Sequence, residues 1–495
     1  MRQTMWKHRG LGYRGLGIGA MTAMAVVLGG ASARADDATA KLQAQIDALQ
    51  AQINAMKAQP SSSGMSSLVA DDGTLTWHGI TLYGTLDVGV SGQTHGSGYN
   101  PDFVTGTGEL LQKNGGGAKW MVTPGGMEQN KIGLKGKENV MEGLDVVFKL
   151  ETGFNPVSGN LSSSQKAQID NNGNKTLANT TTNGDSSRAG QPFEGAAFAG
   201  LSSPTYGTLT FGRQTTPLAD NVTGYDPQTT SYAFSPIEWS GFTAGAGNTE
   251  PARLDDSVRY NVAYGALRFS GIYQFAGNTN PYGGDDAYQA DIGFDYGRLT
   301  MDGLYAVKHD AINTATNPNT TASAGNLNLL NATVSDTRAW ALFAKYDLNP
   351  VKIMGGYEHI TFNNPKTPLS GSAVALSGYG YGTVNSTAYT AAEIFHVLWA
   401  GARWSIDPKL TLAAAYYMYI QQNYSGMDNG VCVASGNGGK CAGTEKMVSV
   451  SLDYQMSKRF DVYGGVMYSR VDDGIYSGYL HNNNLSPAAG LRFKF

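Results

Sequence analysis

The sequence predicts an all-β fold: a 16-stranded antiparallel transmembrane β-barrel with a short N-terminal coiled-coil helix. Three observations carry this. The chain ends on an alternating stretch, Pro487 to Phe495, reading PAAGLRFKF. Ala489, Leu491, Phe493 and Phe495 share one parity; Gly490, Arg492 and Lys494 share the other. A strand with one apolar and one charged face, closing on an aromatic residue, suits a barrel wall with lipid outside and water inside. Its pairing with the first strand removes both sheet edges. The second observation is composition. Charged residues are 15% of 495, while Gly numbers 65 and Tyr 27. That is little charge for a cytosolic enzyme, and an aromatic content of 10% argues against disorder. The third is that alternating segments recur from Gly79 onward, with connections that are long and short by turns.

Taken in order, residues 1–35 read as a cleaved secretory signal. Arg2, Lys7, Arg9 and Arg14 give a basic start, Ile18 to Gly30 an apolar core, and Ala33-Arg34-Ala35 a small-residue cleavage site before Asp36. Removing them takes away five basic and no acidic residues. The remaining 30 basic and 39 acidic residues give about −9, which disfavours nucleic acid as a partner. No later stretch offers about 18 consecutive apolar residues, so no transmembrane helix is expected. A membrane barrel is untouched by that, because its strands average out to polar.

Residues 36–59 change character. Leu42, Ile46, Leu49, Ile53 and Met56 step alternately by four and three, an a/d seam filled in with Ala and Gln. Three heptads are marginal alone, so this coiled coil should lean on an oligomer already formed. A lone amphipathic helix lying on the barrel or membrane is the alternative. Residues 60–76 are read as a flexible linker, rich in Ser and Gly.

The barrel is expected over 77–495, with strands near 79–91, 129–137, 143–153, 193–203, 206–215, 254–264, 266–276, 286–296, 298–309, 336–347, 350–362, 393–405, 409–422, 445–455, 459–470 and 487–495. Each is about long enough to cross a bilayer obliquely. Long connections such as 92–128, 154–192 and 310–335 alternate with tight turns at Asn349-Pro350, Asp407-Pro408 and near Ser457. Long loops on one side and short turns on the other are the habit of outer-membrane barrels. By parity, Lys131, Lys135 and Lys137 face the lumen, as does Arg259 between Val258 and Tyr260. Arg213 shares parity with Leu209 and Phe211, so it is placed outward, toward a subunit interface.

Four stretches carry a family resemblance: GITLYGTLDVGVS (79–91), NKIGLKGKENVMEGLDVVFKLETGF (130–154), FAGLSSPTYGTLTFGRQTTP (198–217) and the terminal PAAGLRFKF. In this order they resemble the trimeric general porins of Gram-negative outer membranes, over roughly Trp77 to Phe495. The resemblance implies a homotrimer in outer-membrane lipid. It also implies that Phe495 is an assembly signal read by the barrel-insertion machinery. The connection 216–253 would fold back into the barrel and narrow it. Asp220 and Asp226 on that loop would then face Lys131, Arg253 and Arg259 on the wall. Two departures are visible. Gly195 stands where the family often has an Arg facing the lumen, and the P-E-F-G run of enteric members is missing.

No catalytic constellation emerges. The seven His show no H-E-x-x-H spacing, and neither a G-x-S-x-G elbow nor a phosphate-binding G-x-x-x-x-G-K-[ST] loop is present. Asp170, Asn172 and Asn174 begin like a calcium loop, but Lys175 stands where Gly is required, so a solvated loop is expected. No cofactor or metal is implied. Cys432 and Cys441 are expected to form a disulfide in an oxidising compartment, with two free thiols as the alternative.

The function expected is a water-filled outer-membrane channel for passive diffusion of ions and small hydrophilic solutes, with the N-terminal helix in the periplasm. Two alternatives stay open. One is a solute-selective channel of the same fold, for an anion or a sugar. The other is a structural tether between the outer membrane and peptidoglycan through residues 36–59. An outer-membrane hydrolase is disfavoured by the missing catalytic set.

Overall fold

The computed structural model describes residues 75–95, 117–163, 191–237, 252–275, 286–316, 330–366, 375–376, 379–387, 389, 391–422, 442–473 and 481–495. The expected signal, the 36–59 helix, most of the linker, the run at 170–175 and the Cys432–Cys441 pair lie outside these residues.

Twenty strands are present among them: β1 (Leu75–Trp77), β2 (Ile80–Gln93), β3 (Lys119–Pro124), β4 (Lys131–Met141), β5 (Leu144–Gly153), β6 (Ala196–Ser203), β7 (Gly207–Thr215), β8 (Arg253–Tyr264), β9 (Leu267–Gln274) and β10 (Ala287–Tyr296). They continue with β11 (Leu299–Thr316), β12 (Leu330–Asp347), β13 (Val351–Asn363), β14 (Ala375–Leu376), β15 (Tyr379–Asn385), β16 (Glu393–Ser405), β17 (Leu410–Gln421), β18 (Gly443–Gln455), β19 (Phe460–Asp473) and β20 (Asn483–Lys494). A helix, α1 (Pro217–Tyr225), lies between β7 and β8.

Sixteen of these strands pair antiparallel, each with the next around a ring, and β2 pairs with β20 to close it. The strands β1, β3, β14 and β15 are additions. Closure leaves the ring of sixteen strands without a free sheet edge, which is the condition for crossing lipid with strands. The period of two is plain on β18. Val448, Val450, Leu452 and Tyr454 are exposed on the outer wall, while Glu445, Met447, Ser449 and Ser451 are buried inside. Two of the short turns use Gly143 and Gly297 at φ 73° and 62°, a region that favours glycine.

The structure departs from the expected elements in three places. A strand, β3, lies in the expected loop 92–128 and pairs with the upper half of β2, while β4 takes the lower half. Between them, residues 125–130 bend inward. Asp87 on β2 holds the bend: its Oδ2 accepts from the Met127 and Glu128 amides at 2.8 and 2.9 Å, and its own amide donates to Asn130 Oδ1 at 2.6 Å. Strands β11 and β12 run past the expected 298–309 and 336–347, with a bulge between Lys308 and Ala311. Above them β15 adds to β12 in parallel. Finally, β1 starts at Leu75, inside the expected linker, and pairs with the first residues of β2.

A hollow barrel has no central core of its own, and the buried apolar cluster here is made by the connection after β7. Leu218, Val222 and Tyr225 of α1, with Ile237 beyond it, pack on inward-facing Leu304, Phe343, Ile360, Phe395, Trp399 and Tyr417. That half of the inner wall is therefore apolar where an aqueous lumen would call for polar side chains. The apolar groups are removed from water by the loop.

Candidate functional site

The narrowing of the lumen is built from α1 and the loop residues after it. Thr216 caps the helix, its Oγ1 accepting from the Ala219 amide at 3.2 Å, and Pro217 occupies the first turn. The Thr216 amide donates to the Ala252 carbonyl at 3.0 Å, so the departure and return of the loop are tied together. Past the helix, Trp399 Nε1 donates to the Tyr225 carbonyl at 3.1 Å and Arg403 Nη1 to the Pro227 carbonyl at 2.9 Å. Ser451 Oγ donates to Gln228 Oε1 at 2.6 Å. Farther on, the Ala233 amide donates to the Gly126 carbonyl at 2.8 Å, and Phe234 meets Tyr463 edge-on. The loop thus runs along the inside of the wall from β7 to the bend at 125–130.

Of the five residues singled out for this region, two meet. Asp220 Oδ2 lies 2.6 Å from Arg259 Nη2, with the Asp220 side chain half exposed. Arg259 is braced by the Thr215 carbonyl at 2.8 Å and by Ser270 Oγ at 3.1 Å. Lys131 pairs instead with Glu128 at 2.8 Å. Arg253 is buried, its Nε donating to the Gly195 carbonyl at 2.8 Å.

Asp226 corrects the sequence reading. The resemblance has it facing the wall cations across water, but it has no exposure at all. Its carboxylate accepts from Tyr417 Oη at 2.6 Å and from the Gln228 and Thr230 amides at 3.1 and 2.7 Å. The physical reason is that the chain turns at 227–230 directly after the helix, and only a side-chain acceptor can satisfy those amides inside the wall. Burial pushes the Asp226 carboxyl up, against the pull of the Tyr417 and Ser235 hydroxyls and these amides.

Arg213 keeps the outward parity of Phe211 on β7 and is held there by local partners. Opposite it, β8 carries one residue more than β7, since Gly212 pairs with Ser257 and Gln214 with Leu254. Asp255 and Asp256 fill that bulge. The Arg213 guanidinium pairs with Asp255, and its Nε donates to the Glu194 carbonyl at 2.7 Å. These partners tie it to its own chain at the bulge.

Two ionic groups face the narrowed lumen from nearly opposite positions in the ring. Beside α1, Asp220, Asp291, Asp295 and Asp302 stand with Arg259, Arg268 and Lys345, and most of them line a cavity of about 680 Å³. Arg268 binds Asp302 at 2.8 Å and also pairs with Asp295; Lys345 lies over the Tyr225 ring at 4.8 Å. On the far side, Lys494 and Lys131 each reach Glu128 at 2.8 Å, and Arg492 binds Asp461 at 3.0 Å and Asp453 at 3.1 Å. Burial would raise the Glu128 carboxyl, but Lys131 and Lys494 outweigh it and hold it down at about 2. Lys149 meets Glu151 at 3.1 Å, and Tyr83 donates to the same carboxylate at 2.9 Å.

A β-carbon at Gly195 would lie 2.6 Å from Glu151 Oε1. The missing side chain at Gly195 therefore leaves room for this carboxylate. The sequence reading missed Glu128 and Glu151 as lumen charges and did not assign Arg492 to the narrowing. For Arg492 and Lys494 the signal was present, since both sit on the polar parity of the terminal strand.

Comparison with known proteins agrees with this architecture. The profile of the family described as Gram-negative porin matches residues 20–474. An outer membrane porin protein of Bordetella pertussis is 30% identical over 184 residues, which is 37% of this chain and 38% of that protein. An anion-selective porin from Comamonas acidovorans superposes with a TM-score of 0.55 at 16% identity, covering 84% of this chain and 99% of that one. OmpT of Vibrio cholerae in its trimer form gives 0.51 at 13% identity, covering 84% and 99%. With the family profile spanning nearly the whole barrel, this chain belongs to the Gram-negative porins of the outer membrane.

Proposed function

We propose that the chain forms a homotrimeric water-filled channel for passive diffusion of ions and small hydrophilic solutes. The observation that carries this is the path of the loop after β7. It covers the apolar half of the inner wall and leaves charged groups facing each other across the remaining space. Nothing needs to be transformed. Low-dielectric walls concentrate the field of the ion pairs on each side, Asp220 and Asp302 with Arg259 and Arg268 on one, and Lys131, Lys494 and Arg492 with Glu128, Asp461 and Asp453 on the other, so permeants are sorted by charge and dipole. The trimer is supported by the trimer form of the OmpT likeness. The Comamonas acidovorans relative is anion-selective; here carboxylates and cations are mixed on both sides.

Reversal potentials in planar bilayers under a salt gradient test this. Asp220→Asn should shift the channel toward anions and Lys131→Gln toward cations. Both shifts should shrink as salt rises, because the Debye length falls from about 10 Å at 0.1 M to about 3 Å at 1 M. A wild-type preparation with no channel conductance would overturn the reading. Unchanged potentials in both variants would remove these residues from the constriction.

A further inference from the structure

The charges around the cavity beside α1 do not all find partners. Asp220 pairs with Arg259 at 2.6 Å, and Arg268 pairs with both Asp295 and Asp302. Two groups of opposite sign are left over. Asp291, only 5% exposed, accepts from Asn221 Nδ2 at 2.7 Å through Oδ1. Among the described residues no cation lies within ion-pair distance of it. Lys345 stands 4.8 Å from the centre of the Tyr225 ring. Among the described residues no carboxylate lies within ion-pair distance of it either. Both side chains line the cavity.

A buried carboxylate without a cation is costly, and the fold keeps this one unpaired. Asp302 lies diagonally across from it, since Gly293 opposes Asp302 and Asp291 opposes Leu304. Arg268, the cation whose charge reaches Asp291, is held on Asp302 and Asp295 instead. Gly293 permits that arrangement, because a β-carbon there would run into Asp302 Oδ1 and Arg268 Nη2. The Arg268–Asp302 pair therefore lies over the glycine, with Asp291 above it toward α1. Asp220 and Asp295, each about half exposed, mark the open side of the cavity. Its volume of about 680 Å³ equals that of about twenty waters at about 30 Å³ each, so an inorganic ion would fill little of it.

We propose that this cavity binds a zwitterionic solute, a short peptide of two or three residues, with its ammonium on Asp291 and its carboxylate on Lys345. The site rests on the channel reading and names a solute class for it. A simple amine would leave Lys345 unpaired, and a simple carboxylate would leave Asp291 unpaired. A solute with both ends satisfies both through charge-assisted hydrogen bonds. The ammonium would also offset the like charge of Asp302. Length follows from the register. Asp291 and Lys345 are on β10 and β12 with β11 between them, and Lys345 opposes Thr300, which opposes Asp295, four residues below Asp291. At about 4.8 Å per strand and about 3.3 Å per residue, their α-carbons are about 16 Å apart. The two side chains close part of that gap, and two or three residues at about 3.5 Å each bridge the rest.

The test uses channels of the full chain in planar bilayers, with tri-alanine as the probe and interruptions of the single-channel ion current as the readout. Wild-type channels should show interruptions that saturate with peptide concentration. N-acetyl-tri-alanine lacks the ammonium and tri-alanine amide lacks the carboxylate. Each should bind roughly tenfold more weakly, the loss of one charge-assisted contact. Free alanine, whose charges are one carbon apart, should also bind more weakly. Each variant should lose discrimination at one end only. Asp291→Asn keeps an acceptor for Asn221, and should bind tri-alanine and its N-acetyl form alike. Lys345→Gln should bind tri-alanine and its amide alike. Discrimination kept at both ends in both variants overturns the site, because a change in loop shape alone would weaken every ligand together. If Asp291→Asn gives no folded barrel, Lys345→Gln with the amide decides the matter. Wild-type binding of the amide as tight as that of the free peptide overturns the zwitterion assignment, and equally tight binding of alanine overturns the length. Wild-type channels that conduct without saturable interruptions overturn the site and leave the channel reading standing.

Discussion

Asp220 and Asp226 show how much a short loop can hide. They lie six positions apart in one loop, and one faces solvent beside Arg259 while the other is sealed against Tyr417. Strand parity had no bearing on either, because the period of two stops at Thr215. A helical reading would have separated them. Leu218, Val222 and Tyr225 step by four and three along one buried face, and Thr216-Pro217 is a helix start. Asp226 also has a pH consequence. Burial raises its carboxyl above its value in the unfolded chain, so the folded state holds the proton more tightly. Its contribution to loop docking is therefore fully present at low pH, below the unfolded value, and is lost as pH rises through the raised folded value. Single-channel current noise should grow as pH rises through that range, and Asp226→Asn should flatten the dependence. Noise in the Asn variant that still follows pH as in wild type would assign the effect to another group.

The barrel strands were legible because each writes the same alternation, and because connection length alternates with it. What stayed illegible had no period of its own. The β3 strand is six residues long, β14 is two, and the upper extensions of β11 and β12 pass without a break into what reads as loop. On β16 and β17 the sequence even reads against an aqueous lumen, since inward Phe395, Val397, Trp399, Tyr417 and Tyr419 are apolar or aromatic. Only the loop that covers them explains this. Closure was legible at both ends and makes its own prediction. The Phe495 amide donates to the Gly84 carbonyl at 3.2 Å, and the Gly84 amide returns a bond to the Phe495 carbonyl at 2.9 Å. A β-carbon at Gly84 would sit 2.4 Å from Phe495 Cζ and 2.8 Å from the Lys131 carbonyl oxygen. Deleting Phe495 and replacing Gly84→Val should both lower the yield of heat-modifiable barrel, while channels that do form conduct normally. Normal yield from both would show that the seam does not need this pair.

At the scale of the whole molecule, the expected division is between a barrel that folds on its own pairings and an N-terminal helix attached by a linker. The barrel's hydrogen bonds close on themselves from β2 to β20, and β1 adds only to the first residues of β2. Among the described residues, every strand pairing in the ring lies at or beyond Leu75. Residues 36–59, by contrast, carry an a/d seam too short to hold helices together unaided. Tethering changes that, because linked helices meet at an effective concentration set by the linker rather than by the solution. The seam should therefore add to an assembly that the barrels already make, and add nothing to conduction. Removing residues 36–59 should leave single-channel conductance at the wild-type value, while lowering the temperature at which the oligomer dissociates on unheated-to-heated electrophoresis. Loss of folded barrel on that deletion would refute the division. An oligomer of unchanged heat resistance would instead leave the helix free for another partner, and binding of purified residues 36–59 to peptidoglycan sacculi would then decide whether it anchors the cell wall.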